Sequence, residues 1–122
     1  MDFVERMQTN ARELSRNLVL PEGLEPRTLH AASILVEKGL VGSVTLIGSP
    51  NEVKAAAGNE GADISGAQVV DPAASTELDR YAQEYYELRK HKGMDPETAK
   101  KEITDPLKWG AMMVRLGDAD AM

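Results

Sequence analysis

Apolar residues along the first 71 positions alternate between short continuous runs and helically spaced stripes. Continuous runs at 17–20, 44–48 and 67–71 are bounded by proline or glycine, and they predict three buried strands. Helical spacing predicts a leading amphipathic helix over 2–16 and a second helix over about 26–38. Strands that alternate with helices at these distances indicate βαβ units, so we predict a parallel sheet with right-handed crossovers.

Capping residues and prolines signal where the helices begin. Ser49 precedes Pro50 and stands three residues before Glu52, which predicts an N-cap, a first-turn proline and a capping box. This third helix is expected to be short, because its alanines give way to the glycine-rich segment GNEGADISGA. Asp95 and Asp105 also precede prolines and predict the starts of two later helices.

Apolar positions three and four residues apart predict which helix faces are buried. The predicted core positions are Thr28, Ala31, Ala32 and Leu35 in the second helix, Leu78, Tyr81, Ala82, Tyr85 and Leu88 in the helix that begins near Ser75, and Leu107, Gly110, Ala111 and Val114 in the last helix. Gly39 and Gly93 are the predicted ends of the first two of these helices.

Length, composition and charge exclude several classes of protein. A chain of 122 residues with 42% hydrophobic positions is expected to form one domain with a single core. The formal net charge of -6 argues against a general nucleic-acid or anionic-membrane surface. No apolar run approaches the length of a membrane span, and the N-terminus does not resemble a signal peptide. The absence of cysteine excludes disulfides and thiolate ligands and is compatible with the cytosol.

The segment YAQEYYELRKHKG, residues 81–93, runs from an aromatic helical face into a basic cluster at residues 89–92. One interpretation is that these charges complement the negative end of the helix dipole. The other is that Tyr85 and Tyr86 steady the stem of Arg89 while its guanidinium faces outward as a fork for phosphate. Composition alone favours the first interpretation, because charge runs are usually solvated faces.

Arg27 is a second candidate anion ligand. It falls in the first turn of the second helix, just past the loop after the first strand, where open α/β sheets bind ligands and helix N-termini favour anions. The alternative is a surface arginine that pairs with Glu22 or Glu25, and the residues alone leave both interpretations open. Glu22 is either a buried loop carboxylate or a polar residue at the end of a strand.

Several widespread binding and catalytic signatures are absent from the sequence. No GxGxxG follows a predicted strand and no GxxxxGK[ST] is present, so neither a dinucleotide fingerprint nor a phosphate loop is predicted. His30 and His91 lack the close ligand spacing of a zinc site. No serine has a GxSxG context, so no nucleophile stands out.

Five segments together resemble one known family. In chain order they are LVLPEGLEPRTLHAA, VTLIGSPNEV, VVDP, YYELRKHKGM and MMVRLGDADAM. They are similar to the N-terminal part of the phosphate acetyltransferase (phosphotransacetylase) and phosphate butyryltransferase family, and the similarity covers nearly the whole chain. The resemblance implies a three-layer α/β/α fold with a mostly parallel sheet, isocitrate/isopropylmalate dehydrogenase-like and truncated here, in a two-domain cytoplasmic enzyme that is usually a homodimer.

The resemblance also implies a reaction. Family members transfer an acetyl group reversibly between acetyl-CoA and inorganic phosphate, giving acetyl phosphate and CoA, without a metal or organic cofactor. Arginines that match Arg27 and Arg89 are implicated in CoA binding there, so the resemblance favours the phosphate-binding interpretation of both residues.

Residues 1–122 would then be the N-terminal part of the family's first domain. The catalytic aspartate and serine of the family lie in a later part of its chain, so no catalytic residue is expected here, and we expect this stretch to be inactive by itself. Two alternatives stay open: a butyryl-specific relative, and a non-catalytic CoA-binding or assembly module such as the C-terminal region of a malic enzyme.

Overall fold

The computed structural model describes residues 3–122, apart from the side chains of residues 11–14, and helices alternate with strands over its first half. The elements are α1 (Phe3–Leu14), β1 (Asn17–Leu20), α2 (Pro26–Glu37), β2 (Ser43–Ile47), α3 (Pro50–Glu60), β3 (Gln68–Val70), α4 (Leu78–Arg89), α5 (Pro96–Glu102) and α6 (Pro106–Arg115). Short 3-10 turns, Pro72–Ala74 and Lys90–Lys92, lie before and after α4.

The strands and the second helix predicted from the sequence are confirmed to within one residue at each end. The leading helix ends at Leu14 rather than at residue 16, because Ser15 takes a left-handed backbone conformation with φ 48°. The first residue of the predicted helix, Asp2, lies outside the described part of the chain, as do the side chains of residues 11–14.

The three strands form a parallel sheet in the order β1-β2-β3. Leu18 pairs with Val44 in β2, and Leu46 pairs with Val69 in β3. The C-terminal residues return to this sheet, because Ala121 forms a parallel bridge with Leu18 on the free edge of β1. The amide of Val19 donates to the carbonyl of Ala121 at 2.9 Å, so the segment after α6 pairs with the edge strand of the sheet.

Side chains alternate across the sheet and divide the expected single core into two clusters. Val19 and Ile47 face a cluster that includes buried residues of α4, α5 and α6. Val44 and Leu46 face the opposite cluster, which includes Leu29 of α2 and residues of α3. Helices therefore cover both faces of a parallel sheet, which confirms the predicted three-layer α/β/α arrangement.

Two helix faces were predicted only in part. In α2 Ala32 is buried and Leu35 packs against the core as predicted, but Ala31 is exposed, because the larger Leu29 side chain points into the cluster on that face of the sheet. In α6 Gly110 is buried and Val114 packs against the core as predicted, but the large buried side chains are Trp109, Met112 and Met113, whereas Leu107 is 54% exposed. The large indole sets the rotation of α6, because burying it removes more apolar surface from water than burying a leucine. The predicted face of α4 is confirmed, with Tyr81, Ala82 and Tyr85 buried.

The helix starts were predicted better than their caps. Asp95 and Asp105 accept hydrogen bonds from the backbone amides of Thr98 and Lys108, as the Asp-Pro pairs indicated. Ser49 is the N-cap of α3 but its side chain makes no cap hydrogen bond, so the predicted capping box is wrong. The helix also runs through Gly58 to Glu60, longer than its glycines suggested, and ends at Gly61 with φ 66°.

A buried tyrosine links α4 to the turn after α6. The hydroxyl of Tyr81 donates to Oδ2 of Asp118 at 2.5 Å, and Arg80 pairs with the same carboxylate. Burial, together with the hydrogen bond to Asp118, raises the pKa of the Tyr81 phenol above its usual value. The folded chain therefore keeps a proton that the unfolded chain loses above about pH 10.

This raised pKa predicts a loss of stability in alkali. Below about pH 10 the contribution of Tyr81 is intact, and it declines as the pH rises further, because the unfolded state binds fewer protons than the folded state. The Tyr81→Phe variant should lose less stability between pH 9 and about pH 11 than the unmodified chain. Urea midpoints measured across this range check the difference, and parallel declines in both proteins would contradict it.

Candidate functional site

A cleft of about 510 Å³ lies at the carboxyl ends of β1 and β2. The β1–α2 loop, residues 21–25, forms one wall, and Ile47, Gly48 and Glu52 form the second. The first turn of α6, residues 105–107, forms the third. Carboxyl ends of parallel strands are where open α/β sheets bind ligands, so this cleft is the first candidate site.

Gly23 allows the β1–α2 loop to lie directly on the end of β2. Its amide donates to the carbonyl of Ile47 at 3.3 Å. A Cβ atom at this position would lie 2.5 Å from the same carbonyl oxygen and 3.2 Å from Cγ2 of Val53. The shape of the cleft therefore depends on a residue without a side chain.

The rim of the cleft is acidic. Glu22, Glu25, Glu52 and Asp105 line it, and no lysine or arginine is among its lining residues. Glu25 caps α2 by accepting the amide of Thr28 at 3.0 Å, just as Asp105 caps α6. The N-termini of α2 and α6 at this cleft are thus satisfied by their own carboxylates, so α2 does not offer the open anion site that the sequence suggested.

Arg27 lies in the first turn of α2, one residue past the proline that follows Glu25, and its side chain is exposed. In the part of the chain that the structure describes, Arg27 forms no ion pair with Glu22 or Glu25. The alternative prediction, a surface arginine paired with one of these glutamates, is therefore wrong. Glu25 binds a backbone amide instead, and Glu22 is exposed rather than buried. The guanidinium of Arg27 remains available to a ligand.

Arg89 is the last residue of α4, and its guanidinium carbon lies 5.8 Å from the centre of the Tyr85 ring. The predicted support by an aromatic residue four positions earlier is therefore confirmed. Tyr85 is itself held in place, because its hydroxyl donates to Glu102 of α5 at 2.8 Å. Burial is the main cause of a raised pKa for the Tyr85 phenol, and the hydrogen bond to Glu102 adds to it. The ring therefore stays neutral beside the cation.

The rest of the basic cluster differs from Arg89. Lys90 forms an ion pair with Glu87 at 2.6 Å, which raises the pKa of the lysine. Residues 90–92 form the 3-10 turn that closes at Gly93, where φ is 84°. The α-helix therefore ends at Arg89, and the 3-10 turn that follows it ends at the predicted position, Gly93, in a left-handed conformation. Lys90 therefore fits the first interpretation, in which a positive charge complements the negative end of the helix dipole.

A smaller pocket of about 240 Å³ lies between α4 and α6. Arg89 lines it together with Lys108 and Arg115, and its remaining lining residues are Tyr85, Leu88, Ala111 and Met112. Sequence reasoning missed Lys108 and Arg115, although their spacing of seven residues places both on one face of a helix. Arg27 is not among the residues that line this pocket.

The residues that the structure describes contain neither a candidate membrane span nor a candidate metal cluster. None of the helices between residues 3 and 122 is long and apolar enough to cross a membrane. Among the same described residues, no group of three or more histidine, aspartate or glutamate side chains could hold a metal ion.

Comparison with known proteins decides the family. Residues 2–122 match the family model described as "Phosphate acetyl/butaryl transferase". The chain belongs to this family. The phosphate acetyltransferase of Thermoanaerobacterium thermosaccharolyticum is 43% identical over 122 residues, which is 100% of this chain and 36% of that protein. The phosphate acetyltransferase of Treponema pallidum is 41% identical over the same share of each chain.

Solved structures of this family agree with the fold. The EutD phosphotransacetylase from Staphylococcus aureus matches with a TM-score of 0.83 and 26% identity, over 98% of this chain and 37% of that one. A phosphotransacetylase from Streptococcus pyogenes matches with a TM-score of 0.81 and 27% identity over the same shares. The chain thus spans between 36% and 37% of the length of these family members.

Proposed function

We propose that this chain is the N-terminal part of the first domain of a phosphate acetyltransferase, which transfers an acetyl group between acetyl-CoA and inorganic phosphate. The observation that carries the proposal is the 43% identity to a phosphate acetyltransferase across all 122 residues. The proposed whole protein is a cytoplasmic two-domain homodimer of the isocitrate/isopropylmalate dehydrogenase-like class. It uses no metal or organic cofactor.

The reaction sets the demands on the site. In one direction the thiolate sulfur of CoA attacks the acetyl carbonyl carbon of acetyl phosphate, a carbon–sulfur bond forms, and the carbon–oxygen bond to phosphate breaks. Phosphate leaves with the bonding electrons. Arginines that hold the phosphate groups of both substrates stabilise this redistribution of negative charge and place sulfur against carbon.

Within this chain we assign CoA binding to Arg27 and Arg89. Neither arginine takes a direct part in making or breaking bonds. Both guanidinium groups are without a carboxylate partner in the part of the chain described, and charged forks of this kind bind phosphate oxygens through two parallel hydrogen bonds. Arg27 stands beside the cleft at the strand ends, and Arg89 is steadied by the Tyr85 ring. A butyryl group in place of acetyl is the second candidate, because the family model covers both transferases.

CoA titration of the isotope-labelled chain, followed by NMR, tests the assignment. We expect weak binding that shifts the signals of α2 and α4. Arg27→Ala and Arg89→Ala should each weaken it by about tenfold, because each removes a charge-assisted hydrogen bond. Lys54→Ala removes an exposed lysine on α3 and serves as the control. Equal affinity in all four proteins would refute the assignment, and acetyl phosphate formation by this chain alone would refute the placement of the catalytic groups elsewhere.

A further inference from the structure

We infer that the pocket between α4 and α6 is an anion site for a phosphate dianion, built from Arg89, Lys108 and Arg115. This inference deepens the proposed function and rests on it for the role of Arg89. Lys108 and Arg115 are the new members of the site. The phosphate chemistry has two sources in the proposed reaction, the phosphate monoester on the ribose of CoA and inorganic phosphate.

The three cationic residues come from two packed helices and line one small pocket. Arg89 ends α4, while Lys108 and Arg115 stand two turns apart on α6. The floor is apolar, because Leu88, Ala111 and Met112 complete the lining. An apolar floor lowers the local dielectric constant beside the cations, so an anion bound there gains more from them than it would in open water.

The neighbouring carboxylates do not neutralise this pocket. Nε of Arg115 lies 3.3 Å from Oε1 of Glu84, and Glu102 is engaged by the hydroxyl of Tyr85. Within the described chain Arg89 and Lys108 have no ion pair. The residues that line the pocket include three cations and no carboxylate, in a protein whose formal net charge is -6. Glu84 then competes with a bound anion for Arg115.

The cleft at the strand ends offers the opposite charge. Its lining includes four carboxylates and no cation, so a phosphate dianion placed there would be repelled. Of these two concave sites, the pocket between α4 and α6 is the one whose charge and size fit a phosphate group.

The test is a titration of the isotope-labelled chain with inorganic phosphate at low ionic strength, followed by NMR. Signals of Arg89, Lys108 and Arg115 should shift and saturate together, and added chloride should weaken the binding by screening. Lys108→Ala and Arg115→Ala should each lower the affinity by about fivefold or more, while Lys54→Ala, which removes the same charge from α3, should leave it unchanged. Thermal melting of each variant verifies that it is folded.

Glu84→Gln provides a test of opposite sign. Removing the competing carboxylate frees the guanidinium of Arg115, so phosphate affinity should rise by about threefold. A purely structural role for the Arg115–Glu84 pair predicts no such gain. Non-saturating shifts, equal loss in Lys54→Ala, or unchanged affinity in Lys108→Ala, Arg115→Ala and Glu84→Gln would each overturn the inference.

CoA and dephospho-CoA then separate this inference from the proposed function. If CoA displaces phosphate and dephospho-CoA does not, the pocket takes the ribose phosphate monoester. If neither displaces phosphate, the pocket is a site for inorganic phosphate, and the assignment of CoA binding to Arg89 is wrong. If CoA binding depends on Arg27 and Arg89 but not on Lys108 or Arg115, the proposed function stands and the pocket is not the site of the ribose phosphate monoester.

Discussion

Replacing Trp109 by alanine is expected to lower the free energy of unfolding by about 3–5 kcal/mol. The indole is 1% exposed, and its ring centre lies 4.3 Å from that of Tyr81 at an interplanar angle of 41°. Its removal loses the transfer free energy of a large apolar group and leaves a cavity between α4 and α6. Urea unfolding followed by circular dichroism measures the change.

Leu107→Ala is the matched control for this prediction. Leu107 stands on the same helix two residues earlier and is 54% exposed, so its truncation should change the free energy of unfolding by about 0.5 kcal/mol or less. Comparable losses in the two variants would mean that the rotation of α6 differs from the one described. Since Lys108 and Arg115 share that helix, the same result would also remove the geometric basis of the three-cation pocket.

The order of the elements could be predicted because local signals determine it. Asp-Pro pairs fix helix starts through hydrogen bonds within four residues, and short apolar runs next to proline or glycine mark the strands. The buried face of a helix is a different matter. In α2 the stripes through Thr28 and through Leu29 have the same period, and only contact with the sheet decides between them.

In the candidate site, too, local contacts could be predicted from the sequence and contacts between distant segments could not. The support of Arg89 by Tyr85 follows from their spacing of four residues, which is a local property of α4. The wall that α6 adds to the cleft, and the approach of Lys108 and Arg115 to Arg89, depend on packing between segments distant in the chain. The partner of Glu25 was missed for a third reason: its carboxylate caps the helix at Thr28, so it is not available to pair with Arg27.

Gly23→Ala is expected to destabilise the fold by about 1–3 kcal/mol, because a methyl group there overlaps a backbone atom that cannot rotate away. The new Cβ would lie 2.5 Å from the carbonyl oxygen of Ile47, so the β1–α2 loop must lift from β2. The hydrogen bond from Gly23 to Ile47 and the start of α2, which carries Arg27, would shift with it. CoA affinity should therefore fall along with stability if Arg27 binds CoA.

Gly58→Ala is the counterpart with the opposite sign. Gly58 lies inside α3, and a Cβ there meets no atom within 4 Å. Alanine should stabilise the chain by roughly 0.5–1 kcal/mol, because it has the higher helix propensity and restricts the unfolded state. Urea midpoints of the two variants should therefore move in opposite directions. A Gly23→Ala protein as stable as Gly58→Ala would show that the loop does not rest on β2, and the cleft would then lack its first wall.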